Sequence, residues 1–128
     1  MKPKLDKKIL IVDDEEQLLK ILTDQFENEG FTVLGAKNAK QGIDLAIKQQ
    51  PDLMLIDVVM PETDGITMLK TLRLNPTTAK TPAIVLTNLS DPQTTADALA
   101  AGAYDHMVKT EWDIAALVKK VKEKLEIK

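Results

Sequence analysis

Short aliphatic runs alternate with longer amphipathic stretches along the whole chain. The runs are "KILIVD" (8–13), "FTVLGA" (31–36), "DLMLIDV" (52–58), "PAIVLTN" (82–88) and "YDHMVK" (104–109). Near-continuous Ile, Leu and Val predict strands buried on both faces, as in a parallel sheet. The stretches between them follow a helical period. Leu18, Leu19, Leu22 and Phe26 share one face of 15–29, and Ala39, Ile43, Ala46 and Ile47 one face of 39–49. Ile66, Leu69 and Leu72 or Arg73 form the stripe of 64–74, 91–101 is Ala-rich and weakly amphipathic, and Ile114, Leu117, Val118, Val121 and Leu125 mark the last helix.

The punctuation agrees with this alternation. Gly30 and Gly102 stand where helices should stop. Asn38 with Gln41, and Thr110 with Asp113, have the spacing of capping boxes. Pro51 and Pro82 precede strands, where a missing N–H does little harm. With no linker, repeat or low-complexity segment, the pattern predicts (βα)5: one α/β domain over residues 1–128, core about 8–125, with a parallel sheet covered by helices on both faces.

Composition narrows the function classes. With 44% hydrophobic and 29% charged residues the chain is globular rather than disordered, and aromatics at 3% leave the core to aliphatic side chains and Met. The absence of Cys removes disulfides and thiolate metal sites. A net charge of −3 without a large basic block argues against direct nucleic-acid binding. "MKPKLDKK" has the charge of a signal-peptide start, but the apolar run after it is too short, and no segment approaches spanning length. The expectation is a cytoplasmic protein without membrane insertion.

In an open parallel sheet, ligands sit at the carboxyl ends of the strands. Strand 1 runs into Asp13 and Asp14, strand 3 into Asp57, strand 4 into Thr87 and Asn88, and strand 5 into Lys109, whereas strand 2 ends in the uncharged Gly35 and Ala36. Three carboxylates on one edge suit a hard divalent cation, and Mg²⁺ takes one or two of them while keeping waters and phosphate oxygens. A carboxylate ending a buried strand is a candidate nucleophile that forms an acyl phosphate. A Thr hydroxyl and a Lys ammonium complete a set suited to charge on a transferring phosphoryl group. The run Asp13 to Glu16 then divides: the first two acids await a cation, and the next two suit the first turn of a helix. Taken singly, each residue has a blander reading, as a helix cap, a strand residue or a solvated lysine.

At "ILIVDDEE", "PDLMLIDVVMPETDGI", "PAIVLTN" and "GAYDHMVK" the chain resembles a response-regulator receiver domain of two-component signalling, in order from about residue 8 to 125. The resemblance implies a flavodoxin-like doubly wound sandwich with strand order 2-1-3-4-5. It implies Asp57 as phosphoacceptor, and Asp13, Asp14, Asp57 and the main-chain carbonyl of Val59 as ligands of Mg²⁺. Thr87 and Lys109 would contact the phosphoryl group, and Thr87 with His106 would form the switch. A sensor histidine kinase, a phosphotransfer protein or a small phosphodonor would supply the phosphoryl group. The domain would catalyse only its own phosphorylation and dephosphorylation. Phosphorylation adds nearly two negative charges, which Thr87 and Lys109 can follow, changing the face of helix 4, strand 5 and helix 5. That face would bind an unidentified downstream protein or form a phosphorylation-dependent homodimer.

The sequence departs from the family pattern in three places. His106 stands where the family has a switch Tyr or Phe, and would carry a pH-sensitive signal if it switches. Thr110 replaces the Pro after the Lys, which leaves open a cis bond costing about 2.5–4 kcal/mol or a trans bond with Lys109 re-aimed; Thr110 can also cap the last helix. Asn88 replaces a small residue and narrows access to Asp57. Val59 and Leu89 are apolar and do not position water, so self-dephosphorylation should be slow. Pro61, Asp64 and Gly65 shape the loop after Asp57, Trp112 packs the last helix, and the lysines of "KKVKEK" form a solvated face.

Three rival readings attach to these departures. One is a pseudo-receiver that binds partners without phosphorylation. A phosphohydrolase would want a second acid where Val59 stands, and a flavodoxin-like cofactor binder would not place acids in its first loop. The last helix ends at Lys128, consistent either with a stand-alone regulator or with an excised receiver.

Overall fold

A computed structural model describes residues 3–87, 92–108 and 113–127. Five strands and five helices alternate: β1 Lys8–Val12, α1 Glu16–Asn28, β2 Thr32–Ala36, α2 Ala39–Gln49, β3 Leu53–Asp57, α3 Gly65–Arg73, β4 Ala83–Thr87, α4 Pro92–Ala100, β5 Asp105–Val108 and α5 Ile114–Lys124. All strand pairs are parallel, and their order is β2-β1-β3-β4-β5, as the resemblance implies.

The aliphatic runs are continuous because both faces of the inner strands are covered. Leu10, Val12, Met54, Ile56, Ala83 and Val85 point to one side, where Ala46 of α2, Met68, Leu69 and Leu72 of α3 and Ala98 of α4 meet them. Ile9, Ile11, Leu53, Leu55, Ile84 and Leu86 point to the other, against Leu22 and Phe26 of α1 and Leu117, Val118 and Val121 of α5. Alternate residues of one strand thus serve two different cores, the consequence of a period of two. Ile56→Ala removes a fully buried side chain at the centre of this arrangement. It should cost about 2–5 kcal/mol, read as a shift of the urea midpoint at constant slope.

The predicted punctuation is present. Gly30 closes α1 at φ +102° and Gly102 closes α4 at φ +97°, angles that L side chains resist. In α1, Gly30 N–H bonds the Glu27 carbonyl and Phe31 N–H the Phe26 carbonyl; in α4, Gly102 and Ala103 bond Leu99 and Ala98 in the same way. Both are Schellman ends, and the Phe26 and Phe31 rings pack edge to face at 5.6 Å across the first. α2 ends instead on Gln50 at φ 48°. Gln50→Gly should stabilise the fold by about 0.5–1 kcal/mol, measured as a higher Tm.

Asn38 caps α2, its side chain accepting the Gln41 N–H at 2.9 Å, while Gln41 Oε1 accepts from Lys37 N–H at 3.0 Å. The last helix differs from the expected Thr110–Asp113 box. Its first helical residue is Ile114, and Asp113 itself is the cap, accepting the Ala116 N–H. A carboxylate is the stronger acceptor and lies beside the positive helix end, so the start falls at the acid. Thr110 and Trp112 lie outside the described residues, as do the Lys109–Thr110 bond, Asn88 and Leu89.

Candidate functional site

Register brings the acids together. β1 pairs with β3 through Val12 and Ile56, so Asp13 and Asp57, each one residue further on, leave the sheet at the same level. Asp13 N–H still bonds the Ala36 carbonyl, and Val58 N–H the Leu86 carbonyl, so the ladder extends past the ends of β1 and β3 and fixes both backbones. Asp13, Asp14 and Asp57 each present a carboxylate oxygen, all within 4.8 Å of one another. Asp13 is fully buried and Asp57 is 3% exposed, while Asp14 lies on the exposed rim. Thr87 ends β4, one residue beyond the Asp57–Leu86 pair and opposite Val108, and is 1% exposed. Lys109, expected next after Val108, lies outside the described residues.

The four acids after β1 have separate roles. Asp13 Oδ1 accepts the Glu15 N–H at 2.9 Å, which aims its carboxyl and starts the turn into α1. That second role is one the strand-end reading did not assign to Asp13. Glu15 is the N-cap position and Glu16 the first-turn acid of α1, which complements the positive end of the helix. Glu16 also accepts from Lys37 Nζ at 2.7 Å; that hydrogen bond, and then the lysine's charge, hold its carboxyl below the usual range. The pair sits in water and adds little stability.

The loop after β3 is pinned by its glycine. Gly65 N–H bonds the Val58 carbonyl at 2.9 Å, and a Cβ at Gly65 would lie 2.1 Å from the Asp57 carbonyl oxygen. Asp64 caps α3 by accepting the Thr67 N–H at 2.8 Å. Both residues therefore hold the chain that carries Asp57 and Val59, as the structural role expected of them requires. Gly65→Ala must displace backbone rather than a flexible side-chain tip. A loss of more than about 2 kcal/mol is expected, checked by chemical denaturation. Val59 is 54% exposed and flanks the site, whereas Val58 and Met60 turn inward.

His106 lies on β5 opposite Val85, its side chain about one-third exposed and its Nδ1 3.8 Å from a carboxylate oxygen of Asp105. Asp105 also accepts from Lys120 of α5. Burial pushes the Asp105 carboxyl up, but the Lys120 hydrogen bond, the His106 N–H and the nearby positive charge outweigh it and leave the carboxyl below its ordinary value. Such a depressed carboxyl stabilises the fold above its unfolded pKa and loses that contribution as pH falls through the folded one. Lys120→Met should cost about 0.5 kcal/mol at pH 7, and the two Tm curves should converge at acid pH.

A continuous hydrophobic sheet that delivers three carboxylates and a buried hydroxyl to one edge is an arrangement shared with known proteins. The response regulator receiver domain family matches residues 9–122, and the chain belongs to it. The regulatory protein AtoC of Escherichia coli is 38% identical over 102 residues, 80% of this chain but 22% of that protein. The sporulation initiation phosphotransferase F of Bacillus subtilis is 32% identical over 97% of this chain and 98% of its own length. Among solved structures, the chemotaxis protein CheY4 of Vibrio cholerae superposes with a TM-score of 0.86 at 26% identity, covering 91% of this chain and 97% of that one. The chain spans 47% or less of the transcriptional regulators RpaA and CpxR that it also matches. Among the described residues, no helix is long and apolar enough to cross a membrane.

Proposed function

We propose that this receiver domain accepts a phosphoryl group on Asp57 in a Mg²⁺-dependent reaction and signals through the face formed by α4, β5 and α5. The observation that carries the reading is the meeting of Asp13, Asp14 and Asp57 within 4.8 Å at the strand ends. Clustered oxygen donors at one rim match the preference of a hard cation, and Asp13, Asp14, Asp57 and the Val59 carbonyl would hold it. When bound, Mg²⁺ offsets the charge of the carboxylates and of the incoming phosphoryl oxygens.

An Asp57 carboxylate oxygen forms the new O–P bond as the bond from phosphorus to the donor breaks, and the donor leaves with that electron pair. The donor is a phosphohistidine of a sensor kinase or phosphotransfer protein, or a small acyl phosphate. The Thr87 hydroxyl then donates to a phosphoryl oxygen, and Lys109 pairs with its charge. The protein catalyses only this transfer and the later hydrolysis.

The weak anchoring of α4 supports the switching face. Ala98 is its one fully buried residue, while Leu99 is 49% exposed. An element with so few buried contacts is cheap to move. Thr87 ends β4 and His106 lies on β5, and in this reading they form the switch.

Incubation with acetyl phosphate and Mg²⁺, followed by intact-mass analysis, tests the reading. One phosphoryl adduct is expected, and none without the metal. Its decay is a further prediction. Exposed, apolar Val59 offers attacking water no hydrogen bond, so the adduct should persist for minutes or longer at neutral pH. Loss within seconds would show that another group positions the water.

A further inference from the structure

The end of the sheet opposite the aspartates carries a second concave feature. The last turns of α3 and α5, the segment before β4 and the turn before β5 enclose a cleft of about 500 Å³. Arg73, Lys80 and Lys124 line it together with Pro82 and Tyr104, and among the described residues no acidic one stands in the wall. Arg73 is held by two carbonyls, donating to Thr78 at 2.9 Å and to Gly102 at 2.7 Å. Carbonyls orient a guanidinium but do not neutralise it. Burial also lowers the Arg73 pKa, the mark of a cation partly stripped of water. Lys124 lies over the Tyr104 ring at 4.5 Å, a cation–π contact that again leaves its charge unmatched. Among the described residues, the carboxylate pairs are Lys20–Asp24, Lys37–Glu16, His106–Asp105, Lys120–Asp105 and Lys122–Glu29, and none of them involves this cleft.

Arg73 is partly buried, and such charges are normally paired, while Lys80 and Lys124 are exposed cations beside it. We infer that the cleft bounded by Arg73, Lys80, Lys124 and Tyr104 is a docking site for an acidic peptide segment of a partner protein. Its cations match Asp and Glu side chains, and the two carbonyl contacts hold Arg73 in the cleft wall. Tyr104, 46% exposed, and Pro82 offer an apolar wall that a peptide can use and a bare anion cannot. The net charge of −3 opposes a nucleic acid or an anionic membrane, whose repulsion acts on the whole molecule, whereas a short peptide meets the local field.

The test is an amide NMR titration with the acetylated, amidated peptide Glu-Asp-Leu-Glu-Glu, without Mg²⁺ so that the phosphoryl site is not engaged. Saturable shifts confined to the amides around Thr81, Gly102 and Tyr104 are expected. The exposed-lysine double variant K80E/K124E should keep the native fold by circular dichroism, with a slightly lower Tm from the lost Tyr104 contact, and weaken binding at least about tenfold. Equal binding of Gln-Asn-Leu-Gln-Gln, shifts elsewhere, or no saturable shift would overturn the inference. Equal occupancy by inorganic phosphate at matched ionic strength would replace it with a small-anion site, and tighter binding of a thymidine decanucleotide with a nucleic-acid site.

Discussion

Asp57→Asn is expected to abolish the phosphoryl adduct while leaving the fold intact. The asparagine amide has the shape of the carboxylate but no anionic oxygen to attack phosphorus, so the reaction loses its nucleophile rather than its geometry. Asp13 is equally buried, yet one of its oxygens accepts the Glu15 N–H, and Asp14 sits exposed on the rim. Asp57 is itself the last residue of β3, the central strand of the five, whereas Asp13 lies one residue beyond the end of β1 and Asp14 two. Intact mass after acetyl phosphate and Mg²⁺ should show one adduct for the native chain and none for the variant, with matching circular dichroism. An undiminished adduct on the variant, mapped by peptide mass to Asp13 or Asp14, would sink the assignment of the nucleophile.

The site was largely legible because its residues sit where strands end. A strand buried on both faces must show a continuous aliphatic run, and the first polar residue after it is delivered to the sheet edge. Asp13, Asp57 and Thr87 were therefore readable from Ile9–Val12, Leu53–Ile56 and Ala83–Leu86, given one parallel sheet. The strand order came from the family resemblance, since periodicity alone does not rank strands.

What escaped the sequence depends on contacts between distant residues. Arg73 fell at the edge of the α3 stripe beside Leu72, and its bond to the Gly102 carbonyl spans 29 positions. The start of α5 was misplaced because Thr110 and Asp113 both resemble caps, and only the backbone decides which lies beside free N–H groups. For Asp13 the sequence offers a cap and a member of the acidic group as alternatives, and the structure has it in both roles at once.

Asp13→Asn should stabilise the metal-free protein and remove most of its stabilisation by Mg²⁺. Three carboxylates within 4.8 Å repel, and Asp13, fully buried, is shielded least by water. Neutralising it relieves that repulsion, while the asparagine carbonyl still accepts from Glu15 N–H and preserves the turn into α1. A gain of about 1–2 kcal/mol without metal is expected, within the range for substitutions that relieve functional strain. Mg²⁺ acts in the opposite direction. A ligand that binds only the folded state adds about 1.4 kcal/mol at ten times its dissociation constant, and the native chain should collect this while the variant, having lost an anionic donor, should not. Thermal melts across a Mg²⁺ series should therefore cross, with the variant higher at zero metal and the native chain gaining on it as metal is added. A variant that melts lower in EDTA would show that the Asp13 charge is already compensated within the fold. A variant that keeps the full Mg²⁺ shift would remove Asp13 from the metal site.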